Sequence, residues 1–288
     1  MSARAIICHM TGAGDGGRYF PNAPLTPEAL AEDVALVAEA GAAAVIVHAH
    51  DPVTGRAIAD PGVYADSVAR IRANSAEVLI GFGLPNPAWE VTSEGRISRR
   101  FAPDGDIEAA LEPLLGLWPD FLYLEAMSGD AGVRTWALPL PVLARIGGCL
   151  RRAGVPLMAR VREIGHVEAL SRLTALGVLP AFPAVVLDPK RHRVLGRTIP
   201  AGTPVALSGL VPSDGRGRLP EGGAEHLFVG VGETPSLGRR TLLANLELVQ
   251  MAAAVIAERS TVLAATRARP ILFPRPNASP DQDDAEPA

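Results

Sequence analysis

AAVIVHAHDP, residues 43–52, is an apolar run that ends in two histidines one residue apart. In an extended strand, residues i and i+2 point to the same face, roughly 6.6 Å apart along it. His48 and His50 are therefore expected to look the same way, with Ala49 facing the other. Side by side, two imidazoles can share one metal ion. Without a metal they are a costly pair to bury, because protonating both would place like charges together. The chain has six histidines in all, so two at the end of one strand is a strong local bias.

Outward from that stretch, short apolar runs alternate with longer amphipathic ones. AIICHMTG (5–12) reads as a strand, and Thr26-Pro27-Glu28 opens a helix with an N-cap, a first-turn proline and a first-turn acid. Leu30, Val34, Val37 and Gly41 then fall on one helical face. The pattern repeats through a helix at 60–74, a strand at 77–83, a helix at 106–118, a strand at 120–127 and a helix at 140–154. It continues with a strand at 155–161, a helix at 165–177, and strands at 183–189, 203–209 and 226–232. A last helix is expected from about Leu237 to Ser260. Eight strands with little alternation, as suits strands covered on both faces, predict an α/β protein of the (β/α)8 TIM-barrel type. Residues 190–202 and 210–225 are rich in Pro, Gly and Arg, so the sixth and seventh helical units are expected to be shortened. A doubly wound open sheet is the alternative. Residues 1–276 read as one barrel domain, and 277–288, NASPDQDDAEPA, as a disordered tail.

The totals narrow the function classes. The chain has 288 residues, 48% hydrophobic and 20% charged, enough for one large core. A net charge of −4 with scattered basic residues gives no nucleic-acid surface. No apolar stretch reaches the roughly 18 residues of a membrane span, and the start lacks a signal-type pattern. Cys8 and Cys149 make no disulfide framework, which fits a reducing cytoplasm.

In a (β/α)8 barrel the chemistry sits at the C-terminal ends of the strands. There the sequence offers Thr11, Gly12 and Asp15 after the first strand, and His48, His50 and Asp51 after the second. Next come Gly83 and Asn86, then Glu125 and Ser128, then Arg160 and Arg162, Asp188, Ser208 and Glu233. Two histidines and one carboxylate leave a fourth position open, the pattern of catalytic zinc. Glu233, closing the eighth strand after Gly230 and Gly232, is the expected third ligand. The glycine-rich loop Thr11–Gly17 precedes its helix by too many residues for a dinucleotide fingerprint, so Gly14 reads as part of a substrate loop or a plain turn. Arg160 is a candidate anion clamp.

With HAH, TGAGD, PLTPE and VGVGE in view, the chain resembles the β-keto acid cleavage enzyme family over roughly residues 5–260, most clearly to about residue 75. The resemblance implies a zinc-dependent barrel that condenses a β-keto acid with acetyl-CoA and assembles as a homo-oligomer. It also implies His48, His50 and Glu233 as Zn²⁺ ligands and Ser128 as the hydroxyl after the fourth strand. For chemistry of that type, Asp51 or Asp15 is the expected base. The family's eighth-strand motif resembles R-V-G-[FL]-E-D. Here F-V-G-V-G-E-T loses the arginine and puts Thr234 where the aspartate stands. GFGLPNP replaces its S-T-G-G turn, and RVREIG replaces E-x-F-x-x-G, so Arg160 stands near a family carboxylate. An amidohydrolase-like hydrolase, using His166 and His192 as further ligands, and a non-catalytic binding barrel are the competing readings.

Overall fold

The computed structural model describes residues 5–12, 23–84, 89–92, 97–98, 106–125, 128–130, 134–188, 191, 194–208, 226–231 and 245–260. The chain runs β1 (Ala5–His9), α1 (Pro27–Glu39), β2 (Ala42–Val47), β3 (Ala49–His50), β4 (Ala57–Ile58), α2 (Pro61–Asn74) and β5 (Leu79–Gly83). It continues with β6 (Trp89–Thr92), β7 (Ile97–Ser98), α3 (Ile107–Leu115), β8 (Phe121–Leu124), β9 (Ser128–Asp130), β10 (Arg134–Ala137) and α4 (Leu140–Ala153). Then come β11 (Leu157–Val161), α5 (Ile164–Ala175), β12 (Ala184–Leu187), β13 (Val205–Ser208), β14 (His226–Val229) and α6 (Asn245–Ser260).

Strands β1-β14-β13-β12-β11-β8-β5-β2 close into one parallel barrel, which settles the fold against the open-sheet alternative. The helices begin where the sequence signals them. Thr26 Oγ1 accepts the Ala29 amide at the start of α1, and Asp60 Oδ1 accepts the amides of Gly62 and Val63 at the start of α2. Gly154 ends α4 in the left-handed conformation, φ 67°. In the β12–β13 connection, helical backbone among the described residues is limited to 191, 194 and 195, as its composition predicts. The β13–β14 connection, the helix expected from Leu237 to residue 244, and the tail at 277–288 lie outside the described residues.

The strand period of two divides the core in two. Ile6, Cys8, Val45, Val47, Leu122, Leu124, Val185 and Leu187 face outward into the layer beneath the helices. Ala5, Ile7, Ala44, Ile46, Phe121, Tyr123, Met158, Ala184, Val186, Ala206 and Phe228 fill the barrel interior. Cys8 and Cys149 are both buried and unpaired, one in a barrel strand and one in an outer helix. No helix among the described residues is long and apolar enough to cross a membrane.

Two features are not legible in the sequence. A four-stranded antiparallel sheet, β7-β6-β10-β9, is built from the connections that leave β5 and β8. The buried Asn245, first residue of α6, ties the top of the barrel together. Its Oδ1 accepts the Val231 amide at 2.8 Å, and its Nδ2 donates to the Met10 carbonyl at 3.0 Å and to Asp33 at 2.7 Å. One amide side chain thus satisfies backbone groups just beyond both β1 and β14.

Candidate active site

Followed upward, each inward stripe turns from apolar to polar. Ala5 and Ile7 lead to His9, Ala44 and Ile46 to His48, Phe121 and Tyr123 to Glu125. Met158 leads to Arg160, and Ala206 to Ser208. All five polar residues stand at the C-terminal ends, where the strand period brings them to one mouth.

His48 is the most constrained of them. It is 2% exposed, and neither ring nitrogen has a hydrogen-bond partner among the described residues. Leaving such buried polar atoms unmet costs about 1–3 kcal/mol each. Burial first, and then the neighbouring His9 and His50, hold its pKa well below the usual imidazole value, so the ring is neutral and able to ligate. Gly83 lies flush against this ring, and a Cβ there would overlap it. The His9 ring is 5.1 Å from that of His48, centroid to centroid, and the His50 ring is 6.3 Å from it. His9 is fully buried, with its ring edge against Tyr123 at 5.2 Å and Phe228 at 5.7 Å. Gly230, φ 126°, lets the β14 backbone pass against the backbone of His9, where any side chain would collide.

His50 is not a continuation of β2. That strand ends at Val47, and His50 belongs to β3, paired antiparallel with β4. Its Nδ1 lies 3.1 Å from the His48 carbonyl oxygen. Donation there would leave Nε2, which is buried with no hydrogen-bond partner among the described residues, as a bare lone pair. Burial lowers the His50 pKa, opposed by hydrogen bonds to the backbones of His48 and Gly12. One ligand atom each from His9, His48 and Glu125 lie within 4.8 Å of one another. His48, a neutral imidazole with both nitrogens unmet among the described residues, lies beside a second imidazole and a carboxylate, a donor set that fits a divalent cation of the zinc type.

The remaining expected residues divide. Arg160 reaches the mouth: its Nε donates to Tyr123 Oη at 3.1 Å, and its guanidinium lies 5.6 Å from the Phe228 ring centroid. Glu125 stands beside His9 and His48. Asp51 lies in a turn. Its carboxylate accepts the amides of Val53 at 2.8 Å and Thr54 at 3.0 Å, and these bonds lower its pKa. Ser128 opens β9, opposite Ala137. Asp15, Gly14, Asn86 and Glu233 lie outside the described residues, as does His192. His166 is turned away from the hydrolase reading: it lies on α5, where its Nδ1 accepts the Arg162 amide. His9 and its place beside His48 were missed in the sequence. The signal was present, since His9 shares the parity of Ala5 and Ile7.

The family model described as beta-keto acid cleavage enzyme matches residues 4–224. A 3-dehydrocarnitine:acetyl-CoA trimethylamine transferase of Rhizobium meliloti (strain 1021) is 37% identical over 75 residues, 26% of this chain and 25% of that protein. A 3,5-dioxohexanoate:acetyl-CoA acetone transferase of Paraburkholderia graminis is 27% identical over 124 residues, 41% of this chain and 40% of that protein. The matched stretches thus span a quarter and two fifths of these curated relatives. Among solved structures, apo ObcA superposes with a TM-score of 0.61 at 13% identity, covering 83% of this chain and 63% of ObcA. A type I 3-dehydroquinate dehydratase from Clostridium difficile gives 0.53 at 10% identity, over 92% and 95% of the two chains. Both are likenesses of fold. The family match, which runs from β1 through β13 and includes His9, His48, His50, Glu125, Arg160 and Ser208, places this chain in the β-keto acid cleavage enzyme family.

Proposed function

We propose that this protein is a zinc-dependent enzyme that transfers the acyl group of a β-keto acid to CoA. In balanced form, R–CO–CH₂–COO⁻ and acetyl-CoA give acetoacetate and R–CO–CoA. A bond forms between C2 of the keto acid and the acetyl carbonyl carbon. The C2–C3 bond breaks, and the thiolate released from acetyl-CoA takes up the acyl group. Family membership and the two acetyl-CoA transferases among the relatives support this reading. The observation that carries it is His48, buried at the barrel mouth with both ring nitrogens unmet.

The resemblance supplies His48, His50 and Glu233 as the zinc ligands. Bound there, the metal would act as a Lewis acid on the substrate's oxygens. The chain's own residues do the rest. Arg160, steadied by Tyr123 and Phe228, binds an anionic or neutral group at the far end of the substrate. Asp15 takes the base role and holds the proton removed from C2. Ser128 donates to the developing oxyanion. The barrel's apolar interior closes the site from below and keeps water out.

The test is a panel of β-keto acids differing in R, each incubated with acetyl-CoA and followed by acetoacetate formation. Turnover of at least one member that depends on acetyl-CoA is expected. Binding of keto acids without any acetoacetate across the panel would favour the non-catalytic barrel instead.

A further inference from the structure

We propose that Tyr64 is a positioning residue of the metal centre, its one buried hydroxyl aiming both His48 and His50 from behind the barrel wall. The proposal rests on the reading above, with this histidine pair as metal ligands, and adds the group that orients them. Tyr64 lies on α2, in the helical layer outside the barrel, and is fully buried.

The hydroxyl takes over where strand pairing stops. The ladder between β2 and β5 ends at the pair Val47 and Phe82. Immediately beyond it, Tyr64 Oη donates to the Gly83 carbonyl at 2.5 Å and accepts a hydrogen bond from the Ala49 backbone. A phenol has one proton to give, and here it is committed to Gly83. The ring is held as well, against Phe82 with centroids 4.6 Å apart.

Each of the two bonds leads to one histidine. Gly83 lies flush against the His48 ring, with no room between them for a Cβ. Holding the Gly83 carbonyl therefore holds the surface on which that ring rests. His48 depends on such a seat, because neither of its ring nitrogens is hydrogen-bonded among the described residues. The second bond acts through a peptide plane. The Ala49 N–H and the His48 carbonyl belong to one peptide unit, and the described residues contain no cis peptide bond. A trans unit points its carbonyl away from its N–H. With the N–H turned to Tyr64, the carbonyl faces the other side, where His50 Nδ1 lies 3.1 Å from it. Donation from Nδ1 to that oxygen leaves His50 Nε2 as the nitrogen free to ligate. One hydroxyl thus seats the first imidazole and selects the ligating atom of the second.

The experiment uses the full chain without substrate. Protein stripped by a chelator is titrated with Zn²⁺ by competition and with Co²⁺ by its visible absorption, and urea unfolding is followed on the same samples. Tyr64→Phe removes the hydroxyl and keeps the ring. It should weaken zinc binding about 10- to 100-fold and alter the cobalt spectrum. Ser67→Ala removes another buried hydroxyl from the same helix, one that donates to Val63 within α2, and should leave affinity and spectrum as in wild type. A purely structural Tyr64 would show as lowered stability with wild-type zinc affinity and cobalt spectrum in the folded protein, and that result overturns the proposal. Gly83→Ala presses a methyl group against the His48 ring and should reproduce the loss. Should Tyr64→Phe not fold, unchanged metal binding in Gly83→Ala overturns the proposal by itself. Uptake of neither ion by wild type overturns the metal reading and this proposal together. Uptake by wild type and by Tyr64→Phe alike overturns this proposal alone. Turnover is not read, so the keto-acid assay stands apart from both results.

Discussion

Two buried histidines stand at opposite ends of the same barrel. His226 is the first residue of β14, and His48 follows the last residue of β2. They are 1% and 2% exposed, and burial lowers the pKa of both. Their surroundings differ. His226 Nδ1 accepts the Ala5 amide at 3.2 Å, across the seam where β14 meets β1, and its strand partners are Ala5 and Ala206. His48 has two further histidines for neighbours and no hydrogen bond on either nitrogen among the described residues. Burial alone therefore does not mark a functional histidine here. What separates the two is whether the backbone uses the ring, and what charge lies around it.

The sharpest way to break this comparison is to delete each ring in turn. His48→Ala should lower kcat/KM by about 1,000-fold or more, the several kcal/mol expected of lost Lewis-acid chemistry. It should shift unfolding by no more than about 1 kcal/mol, because a poorly satisfied group is removed. His226→Ala should do the reverse, costing about 2 kcal/mol of stability through the lost seam bond and packing while leaving turnover within about threefold. Steady-state kinetics and urea unfolding on both variants are sufficient. A folded His48→Ala with normal turnover would remove His48 from the chemistry.

How much of this was legible in the sequence follows from the length of each signal. The barrel strands are apolar runs of four to six residues, each bounded by turn or cap residues, and the strand period then fixes the mouth. The sheet of β6, β7, β9 and β10 is built from strands of two to four residues such as WEVT and SGD. Runs that short and polar cannot be told from loops without their partners, and the pairing of β6 with β10 that joins the two local pairs lies far along the chain. His50 shows the limit of assuming an unbroken strand. The break at His48 and the pairing of β3 with β4 are tertiary choices. His9 was within reach. Counting by twos from Ala5 gives Ile7 and then His9, the same stripe arithmetic that leads from Ala44 to His48. The adjacent pair at 48 and 50 masks this partner, which lies one strand away.

The next test uses pH, and it concerns the floor of the barrel. The His226 pKa falls to about 4 in the folded protein, driven by burial. Its unfolded value is about 6.5. The unfolded chain thus binds the proton more readily across this window. The stability tied to a neutral His226 is fully present above about pH 6.5 and is lost as pH falls towards 4. By pH 4.5 the loss should be about 2.5 kcal/mol. His50 and His166, whose pKa values are also lowered, add to the slope in the same direction. The contribution of His226 is isolated by comparing urea unfolding of wild type and His226→Leu at pH 7.5 and 4.5. Equal slopes in the two proteins would mean that the floor histidine is not held neutral.

The smallest expected effect lies at the mouth, on Arg160. The barrel interior beneath it is apolar, and Met158, its predecessor on the inward stripe, is 1% exposed. Arg160 itself is half-buried, so its charge is only partly desolvated and its worth sits at the low end for a paired guanidinium, about 2 kcal/mol. Its Nε bond to Tyr123 and its approach to Phe228 hold the plane of the head group rather than its charge alone. Arg160→Ala should then raise KM about 30-fold for β-keto acids with an anionic far end, with kcat little changed, and by only a few fold for neutral ones. Arg160→Lys should restore part of the charge effect but not the stacked geometry. Tyr123→Phe, losing one hydrogen bond, should cost about 1 kcal/mol in the same direction. A preference for a keto acid bearing an ammonium group at that end would be incompatible with a guanidinium in the pocket. So would kinetic constants that do not respond to Arg160→Ala. Either result would move the specificity of the site from this arginine to the loops around the mouth.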